Sequence, residues 1–85
     1  MIDLTPHNED NQPHGLWVRY SDDKPDIVIE EGYYINGQRD GYWEIFFDDG
    51  TLMYKGYYKN GKQTGYWIFG KKYYPPSNMK MFMIL

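Results

Sequence analysis

The chain has 85 residues, 20% of them aromatic, and a formal net charge of −3. This length gives one small domain with a modest core rather than several domains. The lack of cysteine excludes disulfide bonds and thiolate metal sites, and the acidic balance argues against general affinity for nucleic-acid phosphates.

Strands are the expected element along the whole chain, because aromatic side chains pack well on a pleated sheet and strong helix formers are scarce. Asn36-Gly37 and Asn60-Gly61 are typical of two-residue hairpin turns, whose central residues need positive φ. Asp48-Asp49-Gly50 links a further pair through its Asp-Gly step, and residues 21–26 form a longer loop. The predicted strands are residues 16–20, 27–35, 42–47, 51–58 and 66–69.

An internal repeat organises these strands. Gly-x-Trp begins at Gly15, Gly41 and Gly65, and Gly-Tyr-Tyr-x-Asn-Gly occupies residues 32–37 and 56–61. Repeats of this length are typical of stacked supersecondary units. We therefore predict an all-β protein, an antiparallel β-meander of hairpin repeats that forms a single elongated, twisted sheet of six or seven strands.

One domain, residues 1–85, divides into a central array and two atypical ends. The repeats occupy residues 15–67, and residues 1–14 form an N-terminal cap in which residues 2–5 are a degenerate strand. Residues 68–85 form a C-terminal cap or tail. Terminal repeats are expected to be atypical because they close the stack.

The tail contains the one strongly apolar run of the chain, residues 79–85. It has three interpretations: a last strand of the sheet, a lid over the aromatic face, or a contact with another subunit. Its alternation of Met with other side chains suits a strand.

Two glycines fall inside predicted strands, Gly32 and Gly56. A strand glycine usually marks a bulge or the close approach of another group. Because both glycines occupy the same place in the repeat, we expect an aromatic ring from a neighbouring strand to cover each one. Trp17, Trp43 and Trp67 are the expected rings.

Residues 56–67, Gly-Tyr-Tyr-Lys-Asn-Gly-Lys-Gln-Thr-Gly-Tyr-Trp, resemble the MORN repeat. The match is to the Gly-x-Trp variant found in short bacterial, viral and antitoxin-like proteins, and it extends over residues 15–67. The resemblance implies stacked β-hairpins. It also implies a role as a scaffold, protein-binding module, antitoxin-like factor or lipid-associated adaptor, and the fold does not choose among these.

No catalytic or metal-binding constellation is visible in the sequence. His7 and His14 lie in a polar stretch without a partnered nucleophile, and a metal site needs three or four converging ligands. Glu30 and Glu31 are neighbours on a strand and point to opposite faces, so they cannot form a catalytic dyad. We expect no enzymatic activity, no cofactor and no metal.

The function expected from these features is protein binding without catalysis. Such a module would occupy the surface of a single target protein, as an inhibitor, an antitoxin-like factor or a phage-type inhibitor of a host enzyme does. The alternative is a structural adaptor that dimerises through a sheet edge or the C-terminal tail, with lipid association as a further option. Predicted contact residues are acidic, aromatic or in the tail: Asp22, Asp23, Asp26, Glu30, Glu31, Tyr33, Tyr42, Tyr54, Tyr57, Tyr66, Met81, Phe82 and Met83.

Other partners and compartments are disfavoured. The net negative charge disfavours nucleic acid, although aromatic side chains on a sheet can stack with bases. A membrane span is not expected, since no apolar run approaches the roughly 20 residues that a spanning helix needs. The N-terminus lacks a basic region followed by an apolar stretch, so we expect no signal peptide and a cytoplasmic location in a bacterial or host cell.

Overall fold

The computed structural model describes residues 2–74, apart from the side chain of Tyr66, and the backbone of residues 81–84. One open sheet holds all the strands, in the spatial order of the sequence. Hairpins join the first five strands, and each of these pairs with its neighbour in antiparallel orientation, which confirms the predicted all-β class and meander. The strands are β1 (Gly15–Tyr20), β2 (Val28–Ile35), β3 (Gln38–Phe46), β4 (Leu52–Lys59), β5 (Lys62–Phe69) and β6 (Met81–Ile84).

The final strand departs from the predicted antiparallel pattern. β6 pairs with β5 in parallel orientation, with Trp67 opposite Met81 and Phe69 opposite Ile84. Of the three interpretations of the apolar tail, the backbone of residues 81–84 supports a last strand of the sheet. The side chains of β6 lie outside the described part of the chain.

The hairpin turns follow the predicted chemistry in two of three cases. Asn36 and Asn60 have φ of 47° and 52°, and the glycine after each also has positive φ, as a two-residue turn of type I′ requires. The β3–β4 connection is different, because within it only Gly50 has positive φ. The Gly50 amide donates to the Phe47 carbonyl at 2.9 Å, and the Phe47 amide donates to the Thr51 carbonyl at 2.9 Å, which closes a three-residue loop.

The predicted covering of strand glycines by indole rings is confirmed twice. Trp43 and Trp67 are 0% and 1% exposed, and their rings lie directly on Gly32 and Gly56. Any Cβ atom on either glycine would overlap the ring carbons. Trp17 differs from the other two: it is half-buried and covers no strand glycine.

A bulge accompanies each of these contacts. The strand register shifts once between β2 and β3, around Gly32, and once between β4 and β5, around Gly56. The strand that holds the extra residues of each bulge contains the glycine of a Gly-x-Trp triplet, Gly41 (φ 77°) or Gly65 (φ 67°). Bulges increase the local twist and redirect side chains. The triplet therefore supplies both the bulge and the indole that follows it.

The N-terminal cap is a partial strand beside β1. Leu4 and Val18 exchange two backbone hydrogen bonds of 2.8 Å, and His7 forms an isolated bridge with Pro13. The ring of His7 meets the edge of Trp17 at a centroid distance of 5.6 Å. The degenerate strand predicted at residues 2–5 is thus reduced to a single bridge.

The two sides of the sheet have different compositions. Residues opposite each other in the register share a side, and the side chain direction alternates along each strand. The tryptophan face carries Trp17, Glu30, Tyr34, Arg39, Trp43, Tyr54, Tyr58, Trp67 and Phe69. The open face carries Leu16, Glu31, Tyr33, Tyr42, Glu44, Lys55 and Tyr57.

Gly56→Ala should destabilise the fold by about 1–3 kcal/mol, because the new methyl group forces the Trp67 ring out of place. Chemical denaturation followed by tyrosine and tryptophan fluorescence measures this change. Gln63→Ala, at an exposed position on the adjacent strand, is the control and should stay within about 0.5 kcal/mol of the parent. Equal stabilities for the two variants would contradict the ring-on-glycine contact.

Candidate functional site

Three tyrosines lie together on the open face. Tyr33, Tyr42 and Tyr57 are 54%, 41% and 58% exposed. Tyr42 and Tyr57 are direct partners across β3 and β4, and their ring centroids are 5.3 Å apart. All three were predicted contact residues, and the structure places them on one surface.

A groove runs beside these tyrosines, across β1, β2 and β3. Its volume is about 360 Å³, and its lining residues are Leu16, Glu31, Gly32, Tyr33, Tyr42 and Glu44. The bulge at Gly32 lies in the floor of the groove. Aromatic, aliphatic and carboxylate groups therefore line one concave surface.

Two glutamates face each other within the groove. Glu31 on β2 is the direct cross-strand partner of Glu44 on β3. Like charges in this arrangement repel. Among the described residues neither carboxylate forms an ion pair, although Lys55 stands opposite Glu44 on its other side.

Glu44 does hold one hydrogen bond within the groove. The Tyr42 hydroxyl donates to Oε2 of Glu44 at 3.2 Å. Partial burial, together with the charge and the hydrogen bond of Glu44, raises the pKa of Tyr42 to about 12. Tyr42 consequently remains a neutral donor at physiological pH and is oriented by this carboxylate.

Glu30, also a predicted contact residue, lies away from the open face. Glu30 is 9% exposed and lies on the tryptophan face. Its carboxylate accepts from Nη1 of Arg19 at 3.0 Å and from Nη2 of Arg39 at 2.7 Å. Burial of a carboxylate requires such partners. Glu30 is therefore part of the internal packing, and alternation from Gly32, two residues later, would have placed it there.

Arg39 connects this ion pair to the aromatic layer. Its guanidinium carbon is 4.5 Å from the ring centroid of Trp43 and 5.4 Å from that of Tyr58. It also donates to the hydroxyls of Tyr34 (3.4 Å) and Tyr58 (3.2 Å). Burial acts to lower the pKa of Arg39, but these hydrogen bonds and the charge of Glu30 outweigh it and raise that pKa above its usual value.

Tyr54 is a second predicted contact residue that the structure places on the tryptophan face. It is half-buried, with its ring centroid 5.4 Å from Trp67, 6.5 Å from Phe69 and 5.1 Å from Tyr73. Burial raises the pKa of its hydroxyl. Tyr54 therefore lies apart from the exposed tyrosines of the open face, and its role as a contact residue stays a prediction.

The remaining predicted residues are not brought to the groove. Asp22, Asp23 and Asp26 are exposed in the loop between β1 and β2, beyond the end where Tyr20 pairs with Val28. Four other predictions concern side chains outside the described part of the chain: Tyr66, Met81, Phe82 and Met83.

Sequence reasoning missed three residues of the open face, Leu16, Glu44 and Lys55. Glu44 lies two residues from Tyr42, Lys55 lies two residues from Tyr57, and Leu16 is directly opposite Tyr33. The alternation of side chains along a strand was therefore the signal that could have found them. The register supplied what the sequence lacked: it pairs Leu16 with Tyr33 and Glu44 with Glu31.

Across the described residues, no group of three or more His, Cys, Asp or Glu side chains is arranged to hold a metal ion. The same part of the chain contains no helix that is long and apolar enough to cross a membrane. Comparison of the chain with protein-family models, curated proteins and solved structures found no match. The MORN assignment thus stays a prediction from the residues that carry it.

Glu30→Gln should destabilise the protein by about 2 kcal/mol, because it weakens two charged hydrogen bonds at a buried site. Glu31→Gln, at the next residue but on the opposite face, is the matched control. It should leave stability within about 0.5 kcal/mol of the parent. Urea denaturation at neutral pH measures both variants, and a loss as large for Glu31→Gln as for Glu30→Gln would contradict the two-faced arrangement.

Proposed function

We propose that this chain is a non-enzymatic protein-binding module that occupies the surface of one target protein through its open face. The observation that carries the proposal is the exposed cluster of Tyr33, Tyr42 and Tyr57 on one side of a single-layer sheet. Exposed aromatic clusters of this kind are characteristic of protein interfaces, since tyrosine combines a large apolar ring with a hydroxyl for hydrogen bonding.

The composition of the other side supports this assignment of faces. On the tryptophan face, Glu30 pairs with both arginines, and the indoles of Trp43 and Trp67 are buried. The open face keeps three large aromatic side chains in solvent, next to a groove lined by carboxylates. A partner that covers the open face would bury these rings and supply the second layer that most domains possess.

The mode of action follows from size and from the resemblance stated above. A chain of 85 residues acting without catalysis can restrain a target by blocking its surface. Inhibition of a target protein, in the manner of the antitoxin-like proteins with similar Gly-x-Trp repeats, is the role we propose. A cytoplasmic location would suit such a role.

A dimerising adaptor is the second candidate, favoured by one observation. The sheet is open, and within the described residues no strand pairs with the outer edge of β6, the last strand in the order. This candidate predicts a dimer of the purified chain by light scattering. A strict monomer would leave only the binding module.

Replacing the central tyrosine pair tests the leading proposal. Tyr42→Ser with Tyr57→Ser should abolish capture of a protein that the parent chain retains from cells of its native host, because the pair forms the centre of the exposed cluster. Quantitative mass spectrometry of the captured proteins gives the readout.

The control is Tyr74→Ser, since Tyr74 is 91% exposed but lies outside the strands. Circular dichroism should show that both variants fold. Capture of the same protein in equal amounts by the parent and by the double variant would contradict the proposal, as would failure of the parent to retain any protein.

A further inference from the structure

The groove of the open face contains the chemical groups that bind arginine elsewhere in the same molecule. On the tryptophan face, the guanidinium of Arg39 stacks over Trp43 and Tyr58 and donates to Glu30. A guanidinium donates bidentate hydrogen bonds to a carboxylate, and aromatic faces attract its delocalised charge. The molecule therefore already holds one arginine between an acid and two rings.

On the open face the same kinds of group converge without an arginine from this chain. Glu31 and Glu44 stand directly opposite each other, with Tyr33 and Tyr42 beside them in the groove. The chain has two arginines, Arg19 and Arg39, and both donate to Glu30 on the other face.

We propose that the groove binds an arginine side chain of the target protein between Glu31 and Glu44, with its guanidinium against the tyrosine rings. This inference rests on the proposed function, because it names the chemistry of the partner that the open face accepts. A guanidinium placed there would relieve the repulsion between the two carboxylates.

The charge distribution on the open face fixes where the cation binds. Lys55 stands opposite Glu44 from β4, so the β4 side of the groove is partly neutralised. Val18 is the neighbour of Glu31 on the β1 side and adds no charge. Negative charge on the open face is consequently least compensated between β2 and β3, where Glu31 and Glu44 lie with Asp40, the partner of Tyr33.

Geometry favours arginine over lysine. Cβ atoms of directly opposed residues in an antiparallel pair are roughly 5 Å apart. A planar guanidinium with five N–H donors can bridge two carboxylates at this spacing while it stacks on a ring, whereas an ammonium is a compact point charge. Tyr42 is held beside the site by its hydrogen bond to Glu44.

The test uses purified, isotope-labelled full-length protein and three peptides: acetyl-Gly-Arg-Gly-amide, its Lys analogue and its Glu analogue. The arginine peptide should give saturable shifts of the Glu31, Gly32 and Glu44 amide signals in NMR titration. The lysine peptide should bind more weakly, and the glutamate peptide should not bind. Raising the salt concentration should weaken arginine binding, since the groove is open to solvent.

Variants locate the site. Glu31→Gln should weaken arginine-peptide binding about fivefold, and Glu31→Gln with Glu44→Gln more than tenfold. Glu9→Gln, which removes an exposed acid of the N-terminal cap, should leave affinity unchanged. Equal affinity of the parent and the double variant, or equal shifts with the arginine and glutamate peptides, would overturn the inference.

Two further results separate this inference from the proposed function. A parent chain that sediments as a dimer, and becomes monomeric in the Glu31→Gln, Glu44→Gln variant, would identify a second copy as the occupant and overturn the arginine site. Loss of target capture in the tyrosine variant without any arginine-peptide binding would leave the proposed function intact and reject the groove chemistry alone.

Discussion

The contact of an indole ring with a bare strand glycine is the interaction on which the rest of this structure depends. Trp43 on Gly32 and Trp67 on Gly56 bury two of the three tryptophans of the sheet almost completely. A single-layer sheet in a small chain has little other apolar volume to bury. Laying the rings flat along the sheet makes a thin core possible, and the overall dimensions of 38 × 30 × 15 Å reflect it.

Because the aromatic layer occupies one face of the sheet, it determines which kinds of residue each face can carry. Once Trp43 and Tyr58 cover one side, a charged residue on that side needs partners, and Glu30 has two arginines. The alternate positions point to solvent and carry Tyr42 and Tyr57 with acidic and basic neighbours. If the open face binds a partner as proposed, the tryptophan face supplies stability and the open face supplies recognition. A substitution on the tryptophan face should then lower stability more than binding, and one on the open face should do the reverse.

Much of the fold was predictable because local chemistry dictates it. The Asn-Gly turns need positive φ, and the repeated strand glycines leave room for a ring, so both features followed from residue type and spacing. Glu30 and Tyr54 were predicted as contact residues, although alternation from Gly32 and Gly56 places both on the face that the indole rings cover. The rings were expected over those two glycines, so this alternation was an available signal.

Other features of the fold could not be predicted without the pairing register of the strands. The groove depends on the pairing of Glu31 with Glu44, and a bulge at Gly32 shifts that register by an amount that residue types do not specify. The parallel orientation of β6 could not be predicted either, because an alternating apolar run predicts a strand but carries no information about its orientation.

Proton NMR of the glycine Cα positions tests the central contact most directly, because a hydrogen beneath an aromatic ring is shielded by the ring current. The Hα signals of Gly32 and Gly56 should be shifted strongly upfield. Those of Gly41 and Gly65 should have ordinary values, because in the described part of the chain no atom beyond their chain neighbours lies within 4 Å of the corresponding position. Ordinary Hα shifts for all four glycines would contradict the account of the fold.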